Sequence, residues 1–298
     1  MTVVMKQKES NFARFCDLHT HSTYSDGTLS PTQLIRLAEE GGLKAVVLSD
    51  HNTVDGLPEF LEQGNDSPVE CIPAVEFSTD YGSTELHMLG MFIHPEHFGQ
   101  VREYLQQALQ RKEQSNIDLV KRLNAAGLLV DYESVKATTP NGQVNRAVIA
   151  AELVRLGYCQ SVQEAFSRWL NLKCGLYVPP ARPDVFEVIA LIRSMGAVAV
   201  LAHPFLNLRE NELRLFLPRA KEWGLDGMEV SYPLFSEEQT CLAGEMAREF
   251  DLLPSGGSDF HGANKPHIAL GDCAVPELWL EELKSAARKR QQETEVSI

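Results

Sequence analysis

No apolar run in the chain approaches the roughly 20 residues that a membrane-spanning helix requires. The opening Met1–Asn11 likewise has no apolar stretch of the signal-peptide kind. Export and membrane insertion are therefore not expected, and a cytoplasmic location is. Cysteine is sparse and scattered: Cys16, Cys71, Cys159, Cys174, Cys241 and Cys273 form no CxxC pair. That spacing argues against a disulfide frame or a zinc knuckle and for reduced, mostly buried thiols. Positive charge is also short, with 27 Lys and Arg against 41 Asp and Glu, a formal balance of −14. Such a chain is not suited to coating long nucleic acids by neutralising phosphates. A small anionic substrate, or the end of a strand, held by bound metal and a few local cations stays open, because bound cations dominate a local field. Neither a GxSxG nucleophile elbow nor a GxxxxGK[ST] phosphate loop occurs. Internal repeats and low-complexity runs are absent too.

What is present is the composition of a globular chain. Its 298 residues are 44% hydrophobic and 23% charged, enough for a large core and for either two domains or one α/β barrel. Residues 1–13 read as a leader. Ser30-Pro31-Thr32-Gln33 is a helix start, with Ser as N-cap, Pro at the first helical position and Gln at the third. Apolar residues at helical spacing follow, and Gly41-Gly42 ends the element. Short apolar runs suited to buried parallel strands end near His21, Ser49, Glu76, Leu89, His203, Val230 and Gly257, which makes seven. Between about 98 and 178 the strand rhythm stops. One long polar helix over His97–Ala126 is expected there, then helices over Arg146–Gly157 and Val162–Leu170. Helices over Asp184–Ser194, Glu210–Trp223, Glu237–Phe250 and Glu277–Arg290 separate the later strands. The alternation predicts an α/β fold with a parallel sheet, a barrel over 14–97 and 179–291, and an inserted helical subdomain over 98–178.

The polar residues fall on this frame in a pattern. His19 and His21 alternate out of the first strand on one face, while Leu18 points the other way. His51, Glu76, His203, Asp259 and His261 also stand at or just past strand ends, His87 lies within a strand, and Asp26 sits in Ser25-Asp26-Gly27. Taken singly, each has a plain structural reading: a solvated histidine, a helix cap, a turn former. Six of the nine histidines share this placement, however, at the rim where barrel active sites form. Imidazole and carboxylate without thiolate favour Mn, Zn or Fe over Ca or Mg. Nine ligands exceed what one ion needs, so two or three ions are expected. Clustered ions suit hydrolysis at phosphorus by a metal-activated hydroxide. His94 and His97, in His94-Pro95-Glu96-His97, open a helix and read as surface residues.

His19-Thr20-His21-Ser22, Ser25-Asp26-Gly27, Ser49-Asp50-His51-Asn52, Ala202-His203-Pro204 and Gly257-Ser258-Asp259-Phe260-His261-Gly262 together resemble the motifs of the PHP (polymerase and histidinol phosphatase) family. The resemblance implies a distorted seven-stranded β/α barrel of TIM-like form. It implies one metal on His19, His21, Glu76 and Asp259, and a second on Glu76, His87 and His203. A third would sit on Asp26, His51 and His261, so every ligand position of the family is filled. Asp259, Glu76 and His203 become the expected catalytic residues, with Asp259 or a metal-bound water handling the proton. The helical block is similar to that of family members acting on nucleotides, the nucleoside 3′,5′-bisphosphate phosphatases and the 5′→3′ exoribonucleases of short RNA. In those an Arg and a Lys grip a substrate phosphate, and Arg146 and Lys173 match their places. A basic residue two positions after His-Pro is missing here, where Phe205-Leu206-Asn207 follows, and Lys265 is the expected substitute. The reading is a phosphoesterase acting on a phosphomonoester or short phosphodiester of a nucleotide or short oligonucleotide. Its rivals are a histidinol-phosphate-type phosphatase, carbon–nitrogen hydrolysis on a similar barrel, and a metal-stabilised binding module.

Overall fold

Short runs of β-branched and aliphatic residues form strands wherever both of their faces are covered. A computed structural model of the chain describes residues 15–139 and 144–296; the leader expected over 1–13 lies outside the described residues. The described residues hold eight strands: β1 (Phe15–Asp17), β2 (Ala45–Leu48), β3 (Glu70–Tyr81), β4 (Thr84–Met91), β5 (Val198–Leu201), β6 (Gly227–Ser231), β7 (Leu253–Gly256) and β8 (Val275–Pro276). They form one sheet in the order β7-β6-β5-β4-β3-β2-β1-β8. Past the end of β1, Thr20 bridges in parallel to Phe260 past the end of β7, which brings the sheet's two sides together as a nearly closed barrel. The α/β barrel expected from the sequence is therefore present.

Two features depart from an all-parallel, seven-stranded sheet. The Glu76 strand does not stop at Glu76 but continues to Tyr81, turns through Gly82-Ser83, and returns as β4. Tyr81 pairs with Thr84, and β4 lies antiparallel to both β3 and β5. Gly82 supplies the positive φ of 61° that this two-residue turn needs. The eighth strand, two residues long, pairs antiparallel with β1. It is too short to leave a pattern in the sequence.

The helices α1 (Pro31–Glu40), α2 (Leu57–Gly64), α3 (Phe98–Ala125), α4 (Tyr132–Ala137), α5 (Arg146–Arg155), α6 (Val162–Ala165), α7 (Val185–Ser194), α8 (Glu210–Trp223), α9 (Glu237–Glu249) and α10 (Glu277–Val296) complete the chain. The start of α1 is the capping box its sequence announces: Ser30 Oγ accepts from Gln33 N, and the Gln33 side chain accepts from Ser30 N. The single helix expected over Val162–Leu170 is instead a short α turn that continues as a π turn over Phe166–Leu170.

Two compact units divide the chain: Met1–Arg102 with Pro183–Ile298, and Glu103–Arg182. The first holds the barrel. Its core includes Ile72 and Ala74 of β3, Leu89 and Met91 of β4, and Val198 and Val200 of β5, with Leu280 and Leu283 from α10. The second has a core of its own, including Leu119, Leu123, Val135, Ile149, Leu153 and Leu170. Alternation along β3 and β4 carries the apolar face of the first unit directly into polar chemistry. Two residues beyond Ala74 is Glu76, and two before Leu89 is His87. Of the six free cysteines only Cys16 and Cys159 are buried, and Cys241 is exposed, so the thiols are less hidden than expected.

Candidate metal centre

Each polar side chain of the rim is delivered by a strand end. The stretch after β1 is held on both sides by backbone bonds: Asp259 N donates to the His19 carbonyl at 2.8 Å, and His21 N to the Phe260 carbonyl at 3.0 Å. Beneath it Asp17, buried, accepts from Ser258 N and Gly271 N, both at 2.8 Å. Asp50, also buried, accepts from Ser22 N at 2.7 Å and from the hydroxyls of Ser22 and Ser25 at 2.6 Å. That fixes the loop leading to Asp26. Two rim residues, His203 and Asp259, have positive φ values of 28° and 53°. Such left-handed backbone at non-glycine residues costs of order 1–3 kcal/mol each and persists where the surroundings enforce it.

Glu76 lies at the centre and is fully buried. Its Oε1 is 2.8 Å from His87 Nδ1 and 3.0 Å from His203 Nε2. Its Oε2 is 2.9 Å from His51 Nδ1, 3.2 Å from His21 Nε2 and 3.3 Å from His19 Nε2. Asp259 Oδ1 is 3.1 Å from His21 Nε2, while its Oδ2 accepts from Tyr232 at 2.8 Å and Lys265 at 2.6 Å. Asp26, half exposed, is 3.1 Å from His261 Nε2 and 3.8 Å from His21 Nδ1. All nine residues that the sequence singled out as ligands thus meet in one place.

The charges are strongly coupled. Burial would raise the Glu76 carboxyl, but the imidazoles of His51, His19 and His87 outweigh it and hold it well below the usual carboxylate range. Burial opposes a charge on His19 too, yet Glu76, Glu229 and Asp259 raise its imidazole well above normal. For His21, burial and the neighbouring His51 prevail and the imidazole is lowered. Burial and then Asp259 push the Tyr232 phenol up, so it stays a donor.

These residues fit divalent cations on grounds of hydrogen bonding alone. Glu76 Oε2 and His51 Nδ1 are buried and 2.9 Å apart, yet among the described residues neither makes a hydrogen bond. His19 Nε2 and His21 Nε2 face each other at 3.1 Å. So many inward lone pairs and so few hydrogens suit positive ions, and all the donors are nitrogen and oxygen. Three groups bring their donor atoms within 4.8 Å of one another: His19, His21, Glu76 and Asp259; His21, Asp26, His51 and His261; and His51, Glu76 and His87. The cluster is therefore able to bind metals.

The other singled-out residues lie elsewhere or are already engaged. Lys265 is ion-paired with Asp259. In the second unit, Arg146 opens α5 with its guanidinium 4.2 Å over the Tyr177 ring and 5.7 Å from that of Phe166. Lys173 is exposed on the short turn Leu172–Cys174. His94 is exposed and His97 half-buried, outside the cluster. Sequence reasoning placed Glu229 only as a strand residue, yet it is fully buried and accepts from His19 Nδ1 at 2.9 Å and His203 N at 2.6 Å. The signal available was an acid alone in the apolar run Gly227-Met228-Glu229-Val230.

Comparison with known proteins points the same way. Residues 17–172 match the family model of the PHP domain. A 5′-3′ exoribonuclease of Haemophilus influenzae is 33% identical over 246 residues, 82% of this chain and 89% of its own. A 3′,5′-nucleoside bisphosphate phosphatase of Chromobacterium violaceum is 26% identical, covering 82% of this chain and 86% of its own. Among solved structures, a Bifidobacterium adolescentis protein assigned as a metal-dependent phosphoesterase superposes with a TM-score of 0.77 at 27% identity, over 92% of this chain and 96% of that one. With its motifs gathered round Glu76 on a barrel of this topology, the chain belongs to the PHP domain family.

Proposed function

We propose that the chain hydrolyses a phosphate ester of a nucleotide, a 3′,5′-bisphosphate or the 5′ end of a short RNA. The chain is an enzyme, a metal-dependent phosphoesterase, and the nucleotide substrate is inferred from relatives that include an exoribonuclease and a nucleoside bisphosphate phosphatase. The observation that carries the reading is Glu76: a buried carboxylate whose two oxygens face five imidazoles within 3.3 Å. His19, His21, Glu76 and Asp259 would hold one ion, Glu76 with His87 and His203 a second, and Asp26, His51 and His261 a third. When bound, two or three such ions, Mn, Zn or Fe, would lower the pKa of a water, fix the phosphoryl oxygens and neutralise the leaving oxygen.

The chain's own residues do the remaining work. Glu76 joins two ligand groups and sets their spacing. Asp259 is oriented by the Tyr232 hydroxyl and the Lys265 ammonium on one oxygen, which leaves Oδ1 turned to the cluster. Arg146, Lys173 and Lys265 are the proposed substrate contacts. The ring stacking of Arg146 would hold its fork rigid, as phosphate recognition favours. A cytoplasmic setting belongs to the same proposal and is supported by the six free thiols.

The test is phosphate release from 3′,5′-bisphosphates, mononucleotides, short oligonucleotides and histidinol phosphate, with Mn, Zn or Fe added. Turnover of a nucleotide ester in preference to histidinol phosphate is expected. Metal-replete protein inactive on every nucleotide would overturn the reading. In the same assay Arg146→Ala should raise KM by about 10-fold or more, as loss of a charged hydrogen bond implies, with metal content unchanged.

A further inference from the structure

Glu229 is fully buried, and among the described residues no lysine, arginine or hydroxyl hydrogen-bonds it to explain a carboxylate in the middle of β6. Its two oxygens are each occupied by one residue of the rim. Oε1 faces His19 Nδ1 at 2.9 Å, and Oε2 accepts the backbone N–H of His203 at 2.6 Å. We propose that Glu229 is the positioning residue that sets His19 and His203, which face different oxygens of Glu76, for binding divalent cations. The proposal rests on the metal reading of the cluster.

The argument is one of donors and acceptors. A carboxylate can only accept, so the hydrogen shared with His19 sits on Nδ1. His19 Nε2 is then the atom directed at Glu76 Oε2, 3.3 Å away, and Asp259 Oδ1, 3.6 Å away. Metal-ligating histidines commonly owe their tautomer to such a partner on the far nitrogen. The second oxygen acts on backbone. His203 has φ 28° and ψ 58°, and the bond from its N–H to Glu229 fastens this unfavourable turn. The turn places His203 Nε2 3.0 Å from Glu76 Oε1. One buried acid thereby fixes two candidate ligands that are far apart in sequence and face different oxygens of Glu76.

Glu229→Gln is the decisive change because it keeps size and removes one acceptor. If the amide oxygen serves His203, the amide N–H₂ faces His19 and drives its hydrogen onto Nε2, closing that nitrogen to a cation. If the oxygen serves His19, the His203 N–H is left facing another donor. Wild type, E229Q and E229D would be stripped, reloaded with Mn(II) or Zn(II), and dialysed against graded chelator. Metal per chain is read by mass spectrometry, alongside a melt in excess chelator. E229Q should release metal at about 10- to 100-fold lower chelator strength, the usual cost of losing such a partner. E229D, with two acceptors on a shorter stem, should fall between.

Wild-type metal retention in E229Q overturns the proposal, whatever its melting temperature, since a residue kept for packing would shift only the melt. Should E229Q not fold, unchanged retention in E229D overturns it equally. Wild-type protein that retains no cation overturns the metal reading and this proposal together, and that arm is read separately.

Discussion

Glu76 concentrates the chemistry of the site in one side chain. Replacing it with Gln should abolish tight metal retention and lower phosphate release by about 10³-fold or more, since several kcal/mol of charge stabilisation is lost. Kinetics with metal analysis on the same sample check this. The protons tell a related story. Burial pulls the His87 imidazole down, but Glu76 and Glu85 outweigh it and hold it at about 10, above the ordinary 6.5. In metal-free protein that proton stabilises the fold fully below about pH 6.5 and ceases to do so as pH rises through about 10. A cation must displace it, so metal affinity should rise with pH, by about tenfold per unit for each proton released. Calorimetry in buffers of different ionisation enthalpy counts those protons; an affinity flat between about pH 6 and about pH 9 would contradict the assignment. Every histidine of the cluster was legible in the sequence because each follows a predicted strand or, for His87, lies within one. Glu229 was not. A single acid in a strand looks the same whether it faces water or, as here, a histidine 210 residues away.

Among the elements, the segments beyond β1 and β7 meet closely. A Cβ on Gly257 would lie 2.4 Å from both the backbone nitrogen and the Cβ of His19. Gly257→Ala should therefore cost on the order of 1–3 kcal/mol, as overpacking does, and weaken metal retention because His19 must move. Ser30→Ala is the contrast: losing the α1 cap should cost about 1 kcal/mol with retention unchanged. Chemical denaturation and metal analysis on both variants separate the two effects. The cap of α1 could be read from four residues because capping is local. The direction of β4 could not. The strand was expected to stop at its carboxylate, which hid the continuation to Tyr81 and the turn at Gly82-Ser83 that reverses it. The π turn at Phe166–Leu170 and the helix Tyr132–Ala137 escaped for a similar reason: neither is long enough to show a period.

For the whole molecule, a formal charge of −14 and a buried knot of acids and imidazoles both favour bound cations. Removing metal with a chelator should lower the melting temperature, and adding Mn or Zn back should restore it. At a free concentration of one hundred dissociation constants the gain is about 2.7 kcal/mol. A melt indifferent to metal would count against a cation-bound native state. Among the described residues no helix is long and apolar enough to cross a membrane.

The backbone bonds from Asp259 to His19 and from His21 to Phe260 carry a consequence for biosynthesis. They join the first-made and last-made parts of the cluster directly, with most of the chain between them. A ribosome adding about 5–20 residues per second needs on the order of 10–50 s to pass from one to the other. Through that interval His19 and His21 lack the backbone bonds to Asp259 and Phe260. The ligand set is therefore complete only at the end of synthesis, and a chain truncated before Asp259 would leave the ribosome without two of its nine candidate ligands, Asp259 and His261.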